Sequence, residues 1–518
     1  MKRLVRILGK RDVATMAAFV GVVTPVVAAV LLSAASAHAR PGGGGSYSGG
    51  SKSSGGGGGG GGGGDGEALG AILYLCFEHP VIGIPLLIIV VIVLIVRSRA
   101  NKAMHGTEWS SGAPSHDGYA PPVFTPMPRP EPLRARLEGL RRTDPGFSIV
   151  VFEDFLYFLY AEMHRARGAG AGDTLSAYVA DHARGALQND GRIQEVTGII
   201  IGAMTYESVQ VDASGGTQLD VLIESNYVER YRPQGEERFY AKERLRLVRA
   251  PGARSRDPGK ARTLNCPNCG GPLSAMRGIT CSYCKTTVPQ GTRDWAVASS
   301  DVLEREPRGP LLTSSVEEQG TNLPSIVAPN VQAVFAQIMA KDPAGTSWAA
   351  LQHRVGLVFQ EFHAGWVARD PARVRPFVSD NLFQSQLYWI DLYRSSKCIN
   401  RTDGSRITHL ELAAATTDAY YDAVTVRLYA TGSDFTVSED GRLLSGSQSK
   451  QRSYSEYWTM IRGAQKKKTD KTERQCPSCG APLKINMTGN CEYCAVKVTS
   501  GEYDWVLSRI EQDEAYTG

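Results

Sequence analysis

The chain has 518 residues, with 57 Lys and Arg against 52 Asp and Glu, a formal net charge of +5. That balance is too slight to imply a nucleic-acid partner by itself, and the length exceeds one ordinary domain. Its 56 glycines and 27 prolines mark long stretches that cannot bury a core.

The amino terminus reads as a targeting segment. Lys2, Arg3, Arg6, Lys10 and Arg11 precede an apolar stretch over residues 13–32, and Ala37, His38 and Ala39 form a small-residue cleavage pattern. Residues 1–39 are therefore expected to be a signal peptide or signal anchor. Residues 40–67 are Gly- and Ser-rich, with unbroken glycine from 55 to 64, and are expected to be disordered. An apolar segment follows over 68–96, with Pro80 suited to a first helical turn. Residues 81–96 are slightly short for a bilayer; with the apolar residues before Glu78 the segment is long enough to be transmembrane. Arg97, Arg99 and Lys102 come directly after it, which by the positive-inside rule puts the rest of the chain in the cytoplasm. The expectation is a single-pass protein of the inner (cytoplasmic) membrane. A proline-rich, semi-rigid tether occupies 97–132, including Pro121, Pro122, Pro126, Pro128, Pro130 and Pro132.

Two segments then share one grammar, helices first and strands after. Within residues 133–255, helices are predicted over 147–167 and 174–188. Strands follow over 195–211, 217–231 and 237–249, rich in β-branched and aromatic residues, with turn residues at 213–216 and 233–235. Within residues 327–465, the helices are 348–368 and 374–395. The strands are 407–416, 419–430 and 448–462, with turns at 431–434 and 439–441. A linker over 301–326 separates the halves. Helices followed by antiparallel strands indicate an α+β fold in which helices cover one face of a bent sheet.

After each segment comes a ribbon, over 262–300 and 472–510. Cys266, Cys269, Cys281 and Cys284 form one cluster and Cys476, Cys479, Cys491 and Cys494 the other, 210 positions on. Each reads C-x2-C, eleven residues, C-x2-C, the pattern that presents four thiolates tetrahedrally to Zn2+. Two structural zinc ions are expected, since four cysteines leave no open coordination position. A disulfide framework is the rival reading, and a cytoplasmic setting opposes it. Gly270 and Gly480 follow the second cysteines, and Tyr283 and Tyr493, Asp294 and Asp504, Trp295 and Trp505 also correspond. The repeat is therefore a whole small domain. Cys76 and Cys398 are read as unligated thiols.

Further short motifs stand in the second segment: Ala364, Gly365, Trp366 and Asp370 at a helix end, Arg375, Pro376, Phe377, Val378 and Ser379 opening the next, and Glu456 through Arg462 in a closing strand. In these the segment resembles the domain of subunit 44 of the mitochondrial inner-membrane translocase and its bacterial relatives. The first segment resembles it more weakly: Asp144, Pro145, Gly146 and Phe147 match the helix entry and Glu243 and Arg249 repeat the spacing of Glu456 and Arg462, but Leu245 stands where the second has Trp458. The resemblance implies two cones like nuclear transport factor two, each a curved antiparallel sheet wrapped by helices around a cleft. In the mitochondrial relative the domain helps attach an import motor to the membrane and contacts acidic lipid.

The expected function is therefore a non-enzymatic, membrane-anchored adaptor that binds a protein partner not identified by sequence, anionic phospholipid, or both. Candidate lipid contacts are Arg134, Arg136, Arg141 and Arg142, interleaved with Leu133, Leu137 and Leu140 at helical spacing, and Lys466, Lys467 and Lys468 before the second ribbon. Arg244, Arg246, Arg249, Arg254 and Arg256 form a further basic stretch before the first ribbon. One alternative is a cleft enzyme drawing on Tyr388, Trp389, Asp391, Tyr393 and His409, though these form no catalytic motif. The other is a nucleic-acid-binding zinc-ribbon protein, opposed by the membrane anchor. His164, His353 and His363 lack ligand-spaced partners and read as ordinary polar or core histidines.

Overall fold

The computed structural model describes residues 132–518, apart from 186, 188, 190, 234, 308–320, 343–346, 468, 470 and 514. The signal, glycine tract, apolar segment and tether expected over 1–131 lie outside the described residues, as does Lys468. No helix among the described residues is long and apolar enough to cross a membrane.

The first unit opens with α1 (Leu133–Glu138) and a 3-10 turn over Gly139–Arg142. Its main helix, α2 (Ile149–Ala169), starts where the Ser148 hydroxyl accepts the Val151 N–H at 3.4 Å. It stops at Gly170, whose φ of 65° is the left-handed conformation a helix end favours. A short helix, α3 (Asp181–Gly185), leads to three long antiparallel strands, β1 (Ile193–Val211), β2 (Thr217–Tyr231) and β3 (Glu236–Arg249). Side chains along β2 alternate between buried and half-buried, so Leu219, Val221 and Ile223 all point to one face. Against that face α2 lays Phe152, Phe155, Leu156, Leu159 and Met163. The ribbon carries the hairpin β4 (Met276–Arg277) and β5 (Thr280–Cys281), and β6 (Ala296–Glu306) follows it.

The second unit repeats the plan. After α4 (Val331–Lys341), the helix α5 (Trp348–Ala368) is capped by Ser347 and ends on Arg369 in the left-handed region, φ 53°. Ser148 and Ser347 lie 199 positions apart, as do His164 and His363, so α2 and α5 are in register. Two shorter helices follow, α6 (Pro371–Val374) and α7 (Asp380–Ser395). Then come β7 (Cys398–Arg401), β8 (Arg406–Thr417), β9 (Tyr421–Ser438), β10 (Leu443–Gly463) and, beyond the second ribbon, β11 (Val506–Gln512). Trp458, fully buried, packs on Phe359 and Phe362 of α5 at 5.8 and 5.9 Å between ring centroids.

Sheet order revises the expected layout. The first sheet runs β1-β2-β3-β6 and the second β11-β10-β9-β7, with β8 also on β9. Each ribbon is thus inserted within a sheet, and the strand after it returns to pair with the strand before it: Val248 opposite Ala296, Ile461 opposite Val506. The boundaries read from sequence, 255 and 465, separate strands of one sheet, because a return strand that begins at Ala296 or Val506, beyond a cysteine cluster, carries no local pattern that ties it to the strand before the ribbon.

Three elements differ from expectation for related reasons. Among the described residues, the helix predicted over 174–188 forms only at Asp181–Gly185, because Val179 makes a parallel bridge to Val297 and Ala180 donates to the Val297 carbonyl at 2.9 Å. The helix predicted over 374–395 is interrupted at the matching place, where Val378 bridges Leu507. The turn predicted at 431–434 is continuous β9. There Gly432 lies flush on Ser405, whose Oγ would stand 2.5 Å from an added Cβ, so the glycine serves close approach.

The two units pack on each other. Ile200 of β1 joins a cluster with Trp366, Trp389 and Tyr393, and Val150 of α2 packs on Ala423, Ile461 and Val506. Arg134 and Glu153 from the first unit alternate with Arg509 and Glu511 from β11: Arg509 reaches Glu153 at 2.7 Å, and Arg134 reaches Glu153 at 3.2 Å and Glu511 at 3.5 Å. Beside them Asn381 bonds Asp154, and Arg262 pairs with Asp380 at 3.5 Å.

Candidate metal centres and the residues around them

Each ribbon is two knuckles facing each other. In the first knuckle of each, Gly270 and Gly480 take φ of 76° and 77° and donate to the carbonyls of Cys266 and Cys476 at 2.9 Å. In the second, Lys285 and Ala495 hold the left-handed position at 58° and 57°, while the N–H groups of Cys281 and Cys491 donate to Thr286 and Val496. These turns aim all four sulfurs of a ribbon inward. Within each cluster the Sγ atoms lie within 4.8 Å of one another and could hold a metal ion. Individual pairs stand at 3.8 Å for Cys269 and Cys281, 3.8 Å for Cys476 and Cys494, and 4.0 Å for Cys479 and Cys491. Four sulfurs about 2.3 Å from a tetrahedral centre stand about 3.8 Å apart. None of the eight is joined in a disulfide.

Local hydrogen bonds favour the thiolate at the last cysteine of each ribbon. Those from the Thr286 and Asn268 side chains bring Cys284 down to about 6, and the Val496 N–H brings Cys494 down to about 7. Burial pushes Cys476 up to about 12. A cation at the centre would offset that cost, since metal ligation requires the thiolate.

The Asp-Trp pairs behind the ribbons lock them to the sheets. Trp295 and Trp505 are both buried. Arg249, at the end of β3, lies 5.7 Å over Trp295, and Arg462, at the same place in β10, lies 4.6 Å over Trp505. Each arginine also binds aspartate: Arg249 binds Asp144 ahead of α2, and Arg462 binds the buried Asp422 of β9 at 3.2 Å and Asp342, at the end of α4, at 3.5 Å. Asp294 and Asp504 are served from different elements. Arg256 in the loop before the first ribbon pairs with Asp294 at 2.5 Å, whereas Arg354 on α5 pairs with Asp504 at 3.4 Å.

The basic stretches divide by environment. Arg134 is only 15% exposed and committed to Glu153 and Glu511, so it is an interface residue and leaves the set of candidate lipid contacts. Arg141 bonds the Thr417 carbonyl and Glu138. Arg136 and Arg142 are exposed. In the stretch before the first ribbon, Arg244 pairs with Glu207 and Arg246 with Asp220, and Arg249 is buried, while Arg254 is 72% exposed beside Thr143. Lys466 pairs with Asp342 at 2.9 Å and Lys467 with Glu502 at 2.5 Å.

The cleft candidates are not brought together. Trp389 and Tyr393 are core residues, and Tyr388 faces Gly198 of the first unit. Asp391 and His409 are surface groups, 59% and 62% exposed. Cys398 is buried, which pushes its thiol up. A buried polar ladder in the first unit went unread. His164, edge-on to Tyr160 and tilted against Tyr227, meets Glu243 at 3.0 Å and Arg167 at 3.3 Å; Arg167 in turn meets Glu229 at 2.7 Å, which Arg305 reaches at 2.8 Å. The available signal was Tyr160, His164 and Arg167 recurring on one helix face. His363, the counterpart of His164, bonds the Thr402 hydroxyl at 2.9 Å.

No curated protein matches the chain. Residues 331–472 match the family described as the Tim44-like domain. That span covers α4 through β10 and ends before the cysteines of the second ribbon and before β11, the strand that completes its sheet. Residues 331–472 of this protein are a Tim44-like domain.

Proposed function

We propose that this protein is a membrane-anchored adaptor whose two α+β units face the cytoplasm and bind protein segments or acidic lipid. The observation that carries the reading is the Tim44-like domain at 331–472 in a chain whose apolar segment 81–96 is followed directly by Arg97, Arg99 and Lys102. The first unit likewise places helices before antiparallel strands, with a Ser cap on its main helix and an arginine that joins an aspartate to the Trp after its ribbon. These features support reading it as a second cone of the same kind, like nuclear transport factor two. The sulfur spacing and the eleven-residue separation favour zinc in each ribbon, in a structural role.

The lipid-facing part of the proposal rests on Arg136, Arg142 and Arg254, which are exposed near the start of the described chain, where the tether arrives. Near an anionic membrane each contributes about 1 kcal/mol of attraction, weakened by salt. The test is flotation of a soluble fragment, residues 133–518, on neutral and anionic vesicles at low and high salt. Binding to anionic vesicles alone, lost in high salt and lost in a triple Arg136→Glu, Arg142→Glu, Arg254→Glu variant, is the expected result. Flotation that ignores both lipid charge and the triple variant would reject the lipid contact.

A further inference from the structure

We infer that metal occupancy of the second ribbon, and not of the first, controls whether the two units stay docked. The inference rests on the zinc reading above and adds a conformational role to it.

The argument begins with connectivity. The second ribbon joins β10 to β11, and its two ends are clamped side by side: Gly463 donates to the Gly501 carbonyl at 2.9 Å and Lys467 to the Glu502 carbonyl at 2.7 Å. While the knuckles are folded, β11 is delivered beside β10 with little loop to close. Without metal, a ribbon built on four cysteines loses the centre that organises it. The chain between Gly463 and Val506 then becomes a long flexible loop, and its closure entropy weighs against β11 pairing.

What β11 carries makes that consequential. Arg509 and Glu511, both on β11, supply half of the four-membered charge network that joins the units. Val506, its first residue, packs against Val150 of the first unit. The ribbon body contributes as well. Lys497 reaches Asp380 at 2.7 Å and Thr499 reaches it at 3.2 Å, while Arg375 bonds both Asp380 and the Met487 carbonyl. Asp380 begins the helix whose next residue, Asn381, bonds Asp154 across the interface.

The first ribbon is placed differently. Its return strand β6 forms the edge of the first sheet beyond β3, and its described pairings are with β3 and Val179 of its own unit. Its side of the molecule reaches the second unit through Arg262, at the start of the ribbon, and through Asp257, which accepts from the Tyr420 hydroxyl at 2.9 Å; both precede the cysteines. Loss of metal there loosens β6 and leaves the Arg509–Glu153 network in place.

The test compares three variants of the full chain in detergent: Cys476→Ser with Cys479→Ser, Cys266→Ser with Cys269→Ser, and Arg509→Ala. Two quantities are measured, bound zinc per chain and amide hydrogen exchange. The Cys476/Cys479 variant is expected to lose one zinc, and residues 149–154 and 417–423 then exchange at least about tenfold faster. The Cys266/Cys269 variant is expected to lose one zinc and to deprotect β6, with 149–154 unchanged. Arg509→Ala is expected to keep both metals and still deprotect 149–154, which shows that the peptide reports docking. One zinc lost from the Cys476/Cys479 variant with 149–154 still protected overturns the coupling while leaving the zinc assignment standing. An unchanged metal count in that variant overturns the zinc assignment itself. Equal deprotection of 149–154 by both cysteine variants overturns the claimed asymmetry.

Discussion

Arg249 and Arg462 join three parts of the chain that lie far apart in sequence. Each lies at the end of a central strand, covers the tryptophan that follows a ribbon, and binds aspartate from a distant stretch, Asp144 for Arg249 and Asp342 with Asp422 for Arg462. Asp144 and Arg249 are nearly shielded from solvent, at 6% and 5% exposure. Burial opposes ionisation of Asp144, yet hydrogen bonds from Ser255 and Arg249 hold its carboxyl below the usual range. Replacing Asp144 with Asn leaves a buried guanidinium without its counter-charge and is expected to cost about 3 kcal/mol in urea unfolding near neutral pH. The sign with pH follows from the depressed carboxyl. Its contribution is complete above the ordinary carboxylate range and lost as pH falls through its folded value. The Asp144→Asn penalty therefore shrinks toward zero in acid, and a penalty independent of pH would show that Asp144 acts by shape alone.

At the scale of elements, strands with clean alternation were readable: β2 is Thr217–Tyr231, as its pattern indicates, and α5 is Trp348–Ala368, bounded by its own Ser cap. The knuckles were readable because cysteine spacing and Gly270 and Gly480 are local requirements. Contacts made at long range were not. Val179 and Val378 stop two helices by pairing with strands that come more than 100 residues later, and nothing near either valine announces it. The return strands β6 and β11 were missed for the same reason. The side chains that tie β11 to the first unit were equally hidden: Arg134 looked like one of four basic residues on an amphipathic helix, and only the fold brings Glu153 and Glu511 to it.

At the scale of the whole molecule, the joint between the units is polar at its rim and titratable. Burial pushes the Asp154 carboxyl up to about 6, with Arg262, 4.0 Å away, offsetting part of the shift. Because the folded value lies above the ordinary one, the folded state binds a proton more tightly, and this contribution weakens as pH rises from about 4 to about 6. Asp154→Asn is expected to flatten that part of the dependence of the thermal midpoint on pH, and an unaltered curve would remove Asp154 from the account. Each ribbon leads into the strand that completes its sheet, and both reach the joint, the first through Arg262 and the second through β11 and Lys497. Removing metal is therefore the most direct trial. A strong chelator added to the full chain is expected to release two zinc ions per chain, with tryptophan emission shifting to the red as Trp295 and Trp505 leave the core. Two bound zinc ions whose removal leaves the emission unchanged, or no bound zinc at all, would contradict metal-held closure of the two sheets.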